Sequence, residues 1–171
     1  MVEDESEWPT FELVEFDPSH APMGLLRESR LFKGGVPRDL FDTVYRAADS
    51  LTLIETMDQR ELTCFGDLGS WQLICLDPAS GEVVEVSKLP DIQPRLLNSS
   101  LDQFSETVRL VIERFPFYGS DSELEERESV AGELLEEIRN IDERALVQDG
   151  FWATFIDDLK IGDYSTEDVL S

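Results

Sequence analysis

Short apolar runs separated by turn residues make up the first half of the chain, a pattern typical of β-strands. Asp77-Pro78 begins one of these turns, and Gly81 supplies the positive φ with which the chain re-enters a strand. The runs on either side of this turn therefore predict a β-hairpin, the clearest one in the sequence. In all, we predict strands at 10–16, 51–55, 62–65, 71–76, 82–86 and 95–98.

Two segments before residue 50 have a different spacing. Residues 23–33 are compatible with a short helix that ends before Gly34-Gly35. Residues 39–48 carry apolar side chains at helical spacing, so we assign them to a short helix or an irregular segment.

The periodicity becomes helical near residue 100. Ser100 and Gln103 have the spacing of a capping box, in which the serine side chain accepts a hydrogen bond from a backbone N–H of the first helical turn. One apolar face then continues until Pro116 and Gly119 end the helix. The pattern thus predicts a helix that begins after Ser100.

A second, longer helix is predicted from about Ser122 to Val147, again with a capping box formed by Ser122 and Glu125. Asp142 falls on the inward side of this helix, so we expect the helix to bend or to end early there. A last short helix is predicted at 151–159. Because strands are followed by helices, the sequence predicts an α+β fold.

Domain organisation is simple. We find no internal repeat and no linker long enough to separate two domains. We therefore expect residues 1–9 to form a flexible acidic tail and residues 10–165 to form a single domain.

Charge is the most unusual property of the composition. Of the 171 residues, 38 are acidic and 14 are basic, which gives a net charge of −24 with the one histidine neutral. Direct binding to the phosphates of DNA or RNA needs a surface rich in lysine and arginine and is therefore nearly excluded. An anionic membrane surface is disfavoured as a partner for the same reason. The apolar content of 41% still allows a real core.

The cellular location is predicted from two features. The chain has no run of about 18 apolar residues that could cross a membrane. Its first residues, MVEDESEWP, lack the basic and apolar regions of a signal peptide, so we expect a cytoplasmic protein. In that compartment Cys64 and Cys75 are expected to be reduced thiols that fill strand positions in the core, rather than a bridge.

Residues that carry familiar enzyme chemistry are scarce. The chain lacks G-x-S-x-G, G-x-G-x-x-G, the P-loop, H-E-x-x-H and C-x-x-C. A Ser-His or Cys-His mechanism would have to use His20, which lies in a proline-flanked turn and has no partner recognisable in the sequence. Transition metals usually need several His or Cys ligands, and the segment 77–82 is too short for a calcium loop. We therefore predict no catalytic residue, no metal site and no cofactor.

The acidic residues are concentrated at the two ends of the chain. Residues 1–17 hold seven acids and no base, and residues 120–171 hold sixteen acids and four bases, a net charge of −12. Residues 18–119 have a net charge of only −5. The excess charge therefore belongs to the first 17 residues and to the segment that follows residue 120.

The second helix is the most specific acidic feature. Its apolar stripe, which includes Ala131 and Ile138, faces inward, so that most of its glutamates face outward and Glu137 lies on the flank. Like charges three or four residues apart cost about 0.2–0.5 kcal/mol per pair, and Arg139 and Arg144 relieve only part of this cost. The candidate partner-binding residues are Glu125, Glu126, Glu133, Glu136, Glu137 and Glu143.

Two interpretations of this helix stay open. In the first interpretation, the helix presents a solvated face in a protein whose whole composition is biased toward acids, as a salt-adapted or GC-rich genome would give. Alternatively it docks a basic protein, and opposite charges would then raise the association rate toward about 10⁸–10⁹ M⁻¹s⁻¹ at low salt.

Four short motifs occur in a recognisable order. Residues 30–37 read RLFKGGVP, residues 64–67 read CFGD, and residues 98–104 read NSSLDQF. Between the last two, residues 74–83 have the spacing I-x-x-D-x-x-x-G-x-V. Together the motifs resemble the SUKH superfamily of immunity proteins, especially its fourth group, over about residues 23–160. The segment 30–37 resembles the Arg/apolar stretch that leads into G-L-P in that family, and Gly35-Val36-Pro37 is a loose version of G-L-P.

The resemblance implies a SUKH-like fold with a central, mostly antiparallel sheet flanked by helices, and no enzyme activity. It also implies a cytoplasmic protein that neutralises a polymorphic bacterial toxin, often a nuclease or a nucleic-acid deaminase. Motif residues such as Gly66, Asp77, Gly81, Asn98 and Ser99 are then fold-defining. With the acidic helix, the resemblance favours an immunity protein that neutralises a basic toxin domain through an acidic surface.

Two other function classes fit the sequence. A small carboxylate-based hydrolase would need two acids whose pKa values differ, and Trp8, Trp71 and Trp152 could line a sugar site, although such residues more often belong to a core or an interface. A SUKH-like regulatory interaction module would have no toxin partner. The sequence leaves the oligomeric state open.

Overall fold

A five-stranded antiparallel sheet, in which each strand pairs with its neighbours in the sequence, forms the centre of the fold. The computed structural model describes residues 11–14, 31–34, 46–68 and 71–163. A separate two-stranded sheet pairs β1 (Phe11–Val14) with β2 (Leu31–Gly34). The central sheet contains β3 (Arg46–Glu55), β4 (Glu61–Leu68), β5 (Gln72–Leu76), β6 (Val83–Ser87) and β7 (Arg95–Asn98).

Helices follow the last strand. They are α1 (Leu101–Arg114), α2 (Leu124–Ile141), a short 3-10 helix (Glu143–Leu146) and α3 (Phe151–Ile161). Strands followed by helices around one sheet confirm the predicted single-domain α+β fold.

The predicted strands are confirmed, but the two helical assignments before residue 50 are wrong where the structure describes them. Leu31–Gly34 is a strand that pairs antiparallel with β1, although the sequence predicted a helix at 23–33. Arg46 begins β3, inside the segment 39–48 assigned to a helix or an irregular stretch. A short isolated helix gains little stability in water, whereas strand pairing supplies hydrogen bonds at once. The rest of these segments and the tail 1–9 lie outside the described residues.

The hairpin between β5 and β6 has the predicted turn chemistry. Asp77 and Glu82 close the turn with a backbone hydrogen bond of 2.9 Å, and the Asp77 carboxylate accepts one from the backbone N–H of Ala79 at 2.9 Å. Gly81 has φ +79°, a conformation that favours glycine. The motif residues Asp77 and Gly81 thus define the hairpin.

Apolar side chains cover both faces of the central sheet. On one face, strand residues such as Phe65 and Ile74 pack with the helices around a buried Trp152. On the other face, a smaller cluster includes Leu62 and Val84 together with the two cysteines. The alternation of side chains along each strand explains why one sequence run supplies both clusters.

The two cysteines lie directly opposite each other in β4 and β5. The expectation that Cys64 and Cys75 are reduced thiols was wrong, because the structure joins them as a disulfide. Both side chains are buried, as expected of residues that fill strand positions in the core. The strand register that brings the two sulfurs together is set by the pairing of β4 with β5 and is not visible in the local sequence.

The start of α1 has the predicted cap. The backbone N–H of Gln103 donates to Ser100 Oγ at 3.2 Å, and Ser100 Oγ donates to the side-chain oxygen of Gln103 at 2.9 Å. For α2 the predicted capping box is wrong: Glu123 occupies the cap position and makes no side-chain cap hydrogen bond. Ser122 instead belongs to the preceding turn, where its backbone N–H donates to the carbonyl of Gly119.

Candidate functional site

The candidate site is the outer face of α2, and its position is set by the inner face of the same helix. Ala131, Leu134 and Ile138 are buried at helical spacing against the core. This burial fixes which side of α2 faces the solvent. The glutamates between these residues are therefore presented outward.

Asp142 fixes the carboxyl end of α2. Its backbone N–H donates to the carbonyl of Ile138 at 2.8 Å, and its carboxylate accepts from Ser99 N at 2.6 Å and from Ser99 Oγ at 2.8 Å. The same carboxylate accepts from the backbone N–H of Arg144 at 3.2 Å, which starts the 3-10 helix. The expectation that the helix ends early at Asp142 is confirmed.

Asn98 continues this network into the core. Its side-chain amide donates to Asp142 and to Thr107 Oγ1, both at 3.3 Å, and its side-chain oxygen accepts from Trp152 Nε1 at 3.0 Å. Asn98, Asp142 and Trp152 are buried, so each hydrogen bond replaces one that water would otherwise make. We call Asn98, Ser99, Asp142 and Trp152 the polar junction. It ties β7, α1, the end of α2 and α3 together.

Gln103 adds a second connection at the same place. Its side-chain amide donates to the carbonyl of Ile141, the last residue of α2, at 2.9 Å. The carbonyls at the end of a helix have no partner within the helix, so this bond satisfies one of them. The N-S-S-L-x-x-F motif therefore positions α2 as well as starting α1.

The outer face of α2 carries the candidate residues. Glu125, Glu126, Glu133 and Glu136 are exposed, and Glu137 is half-buried, as the helical spacing predicted. Glu143 is exposed too, but it lies in the 3-10 helix after α2 and not on α2 itself. We use "acidic face" below for Glu125, Glu126, Glu133, Glu136 and Glu137.

Three glutamates of the acidic face are already in ion pairs. Arg114, at the end of α1, lies 3.6 Å from Glu133, and its Nε donates to Glu137 at 3.1 Å. Arg139 pairs with Glu136, three residues before it. These contacts reduce the negative charge in the second half of α2.

The first half of the helix is different. In the described part of the chain, Glu125 and Glu126 form no ion pair, and neither does the exposed Glu128. Arg127 lies among them, but its guanidinium donates to the carbonyl of Ile161 at the end of α3, at 2.9 Å. The uncompensated charge of α2 is thus concentrated in its first two turns.

Carboxylates of α3 add to the negative charge near this end. Burial raises the pKa of Asp158, and the neighbouring carboxylates of Asp163 and Asp157 raise it further. Neighbouring carboxylates that raise the pKa of Asp158 mark a region of negative potential. Because Arg127 joins the first half of α2 to the end of α3, this region borders the acidic face.

Ion pairs between distant parts of the chain could not be predicted from the local sequence. Arg144 was expected to compensate glutamates of the second helix, but it lies 2.7 Å from Glu82 in the β5–β6 hairpin. The main partner of the acidic face, Arg114, is on another helix. A contact between two helices leaves no signal in the local sequence. The exposed Glu123 and Glu128 were not proposed either, although their acidic character and spacing were visible.

Three buried carboxylates were the remaining candidates for chemistry. Asp77 holds its hairpin turn and lies 3.5 Å from Arg60, and Asp142 belongs to the polar junction. Glu85 lies 2.5 Å from Arg95, and burial raises the pKa of Glu85 while Arg95 lowers it.

In the part of the chain that the structure describes, no three His, Cys, Asp or Glu side chains converge as metal ligands. None of the described helices has the length and apolar character needed to cross a bilayer.

Comparison with known proteins agrees with this architecture. A family model described as SUKH-4 immunity protein matches residues 5–158, which include the central sheet, α1, α2 and most of α3. No curated protein and no solved structure shows significant similarity to the chain. The polar junction and the β5–β6 hairpin contain the N-S-S and D-x-x-x-G motifs that had indicated the same family. The chain therefore belongs to the SUKH-4 immunity protein family, and this membership supports an immunity function that has a toxin as its partner.

Proposed function

We propose that the protein protects its host by binding a basic toxin domain, a nuclease or a nucleic-acid deaminase, through the acidic face of α2 in the cytoplasm. In this role it acts by binding and not by catalysis. The observation that carries the proposal is the first half of α2, where exposed glutamates have no ion pair within the described chain.

The expected partner follows from charge. A protein that acts on nucleic acid holds phosphates with lysine and arginine, so its active-site surface is positive. An acidic protein that covers such a surface replaces the phosphates and is steered toward it by opposite fields. The net charge of −24 supplies the long-range attraction, and the acidic face supplies a defined contact.

A purely structural account explains only part of the acidic face. Glu125 and Glu126 lie in the first turn of α2, where a negative charge next to the helix dipole stabilises by about 0.3–1 kcal/mol. Glu133 lies beyond that turn and pairs with Arg114, whereas Glu128, beside the acidic face, lies beyond the turn and has no ion pair within the described chain. A helix selected for stability alone would place lysines among these positions.

The test compares two double variants with the same change in net charge. Glu125→Gln with Glu126→Gln removes two charges from the acidic face, whereas Glu55→Gln with Glu61→Gln removes two exposed charges that lie opposite each other in β3 and β4. The probe is an inactive form of the toxin domain that we expect the neighbouring gene to encode. Association and dissociation rates are measured at low and at high salt, together with survival of cells that express the active toxin.

We expect the α2 variant to lower the association rate at low salt by about tenfold, and the β3–β4 variant to lower it by less than about twofold. The difference between the variants should shrink at high salt, because the Debye screening length falls to about 8 Å at an ionic strength of roughly 0.15 M. Equal effects of the two variants would mean that only net charge matters and that the acidic face is not the contact. Failure of the wild-type protein to bind the toxin domain or to protect cells would remove the proposal.

A further inference from the structure

Apolar side chains are exposed at the end of the sheet where β5 begins. Trp71, just before β5, has 64% of its surface exposed, and Leu89 and Ile92, in the β6–β7 connection, have 51% and 49%. The backbone N–H of Lys88 donates to the carbonyl of Trp71 at 2.8 Å, so the tryptophan lies beside this connection. We call Trp71, Leu89 and Ile92 the anchor patch. Tryptophan in particular is enriched among the few residues that dominate binding energy at protein interfaces.

The connection that carries Leu89 and Ile92 is held in shape. The backbone N–H of Leu89 donates to Ser87 Oγ at 3.1 Å, and Asp91 has φ +64°. Prolines at 90 and 94 restrict the backbone further. A surface that is ordered before binding loses less conformational entropy when a partner docks.

Charge decides which partner fits the anchor patch. Lys88, the base beside Trp71, lies 3.0 Å from Asp67 in an ion pair, and the exposed Asp91 adds a negative charge. A second copy of this chain would bring another net charge of −24 to the patch, and self-repulsion opposes such a dimer. Because Lys88 is paired with Asp67, it does not act as a free positive charge toward a positively charged protein, and the net charge of the chain attracts such a protein.

We propose that the anchor patch is a second contact for the basic toxin domain, in which Trp71 inserts into an apolar pocket of the toxin. The proposal rests on the proposed toxin-binding function and adds a contact of different chemistry. Trp71 lies at the start of β5, whereas the β5–β6 hairpin at the other end of this strand contacts Arg144, which follows the carboxyl end of α2. Acids of the acidic face speed association, whereas the anchor patch slows dissociation.

The two contacts therefore differ in their kinetic signature, which the experiment uses. The probe is again this inactive toxin domain, and the variants are Trp71→Ala and Leu89→Ala. The matched control is Leu53→Ala, because Leu53 is an exposed leucine in β3 next to the other end of the sheet. Rates are measured at low and high salt, and thermal unfolding confirms that each variant is folded.

Trp71→Ala is expected to raise the dissociation rate by about 30-fold at both salt concentrations and to change the association rate by less than about twofold. Leu89→Ala should raise the dissociation rate by a few-fold, and Leu53→Ala should leave it unchanged. If the wild-type protein binds and Trp71→Ala leaves the dissociation rate unchanged, the anchor patch is not a contact, and the proposed function still stands. Absence of wild-type binding would overturn the proposed function and the anchor patch with it.

Fluorescence gives an independent measurement. Trp152 is buried and Trp71 is exposed, so acrylamide should quench mainly Trp71 once Trp8, which lies outside the described residues, is replaced by Phe. Toxin binding is expected to protect Trp71 from quenching and to shift its emission to shorter wavelength. Protection that appears in the absence of toxin as the protein concentration rises, together with a dimer in sedimentation, would show that a second copy covers the patch and would overturn the proposal.

Discussion

Asp142 and Glu143 are neighbours in the chain and carry the same functional group, but they lie in opposite environments. Asp142 is buried and its carboxylate accepts four hydrogen bonds, whereas Glu143 is exposed. The same contrast separates the polar junction from the acidic face of α2. The one carboxylate of the junction, that of Asp142, is bound by groups of the protein itself, whereas the first glutamates of α2 are left for solvent or for a partner.

This contrast shows how an acid-rich chain divides its carboxylates. A buried carboxylate is retained only where hydrogen bonds replace its hydration, and removing its partners leaves a costly unpaired group. An exposed carboxylate costs little and contributes little to the fold. Substitutions in the two regions should therefore have effects of different size and kind, and four predictions test this division.

The largest effect is expected for Asp142→Ala. Loss of the carboxylate leaves the donors of Asn98 and Ser99 without their acceptor in the interior, which should lower the free energy of unfolding by about 3 kcal/mol. Glu143→Ala, the matched change one residue later, should lower it by less than about 0.5 kcal/mol. Urea unfolding of both variants measures the difference. Equal losses would break the distinction between the two regions.

A second comparison uses two tryptophans. Trp152→Phe removes the Nε1 donor to Asn98 and leaves space in the core, so we expect a loss of about 2 kcal/mol in the free energy of unfolding. Trp71→Phe keeps an aromatic ring at an exposed position and should change stability by less than about 0.5 kcal/mol. Thermal unfolding followed by circular dichroism distinguishes the two. A large loss for Trp71→Phe would mean that this residue belongs to the core.

The third prediction concerns pH. Burial raises the pKa of Glu85 above its ordinary value of 4.5, so the folded protein favours the protonated form. The contribution of Glu85 to the free energy of unfolding is therefore lost as pH rises through the folded-state pKa. Glutamine cannot ionise. Glu85→Gln should therefore gain stability relative to the wild type between acidic and neutral pH, on the order of 1 kcal/mol, although Arg95 loses its ion pair.

Urea unfolding at pH values below and above the ordinary glutamate range measures this gain. Glu61→Gln serves as the control, since Glu61 is an exposed glutamate in another strand of the same sheet. A Glu85→Gln variant whose stability relative to the wild type does not depend on pH would contradict the raised pKa.

The smallest effect is expected on the acidic face. Glu125→Gln with Glu126→Gln loses some favourable interaction with the helix dipole but also relieves repulsion, so the free energy of unfolding should change by less than about 0.5 kcal/mol. Chemical unfolding at low salt is the measurement, with the Glu55→Gln and Glu61→Gln pair as the reference. A loss above 1 kcal/mol, on the order of a removed cap, would indicate that these glutamates stabilise the fold.

Local chemistry accounts for what could be predicted from the sequence. The β5–β6 hairpin follows from Asp77 and Gly81, and the start of α1 follows from Ser100 and Gln103, because these turns and caps are formed by residues next to one another. The outward position of the glutamates follows from the spacing of the buried residues in α2.

What could not be predicted depends on contacts between distant residues. Arg114 and Glu137 are 23 positions apart and meet only because α1 packs beside α2. Cys64 and Cys75 become partners through a strand register that includes a shift between Cys64 and Gly66. Trp71 lies at the start of an apolar run, and only the assembled sheet determines that its ring stays outside the core.

Arg127 gives the acidic face a property that no single glutamate could provide. Its guanidinium occupies the end of α3 above Gly162, where any side chain would collide with it, since a Cβ built there lies 2.3 Å from Nη1. The one base in the opening turns of α2 is thereby directed toward α3 and is not free to fold back onto its acidic neighbours. A glycine on one helix thus helps to preserve the sign of the electrostatic potential on another, and a larger residue at that position would change what the surface attracts without altering a single carboxylate.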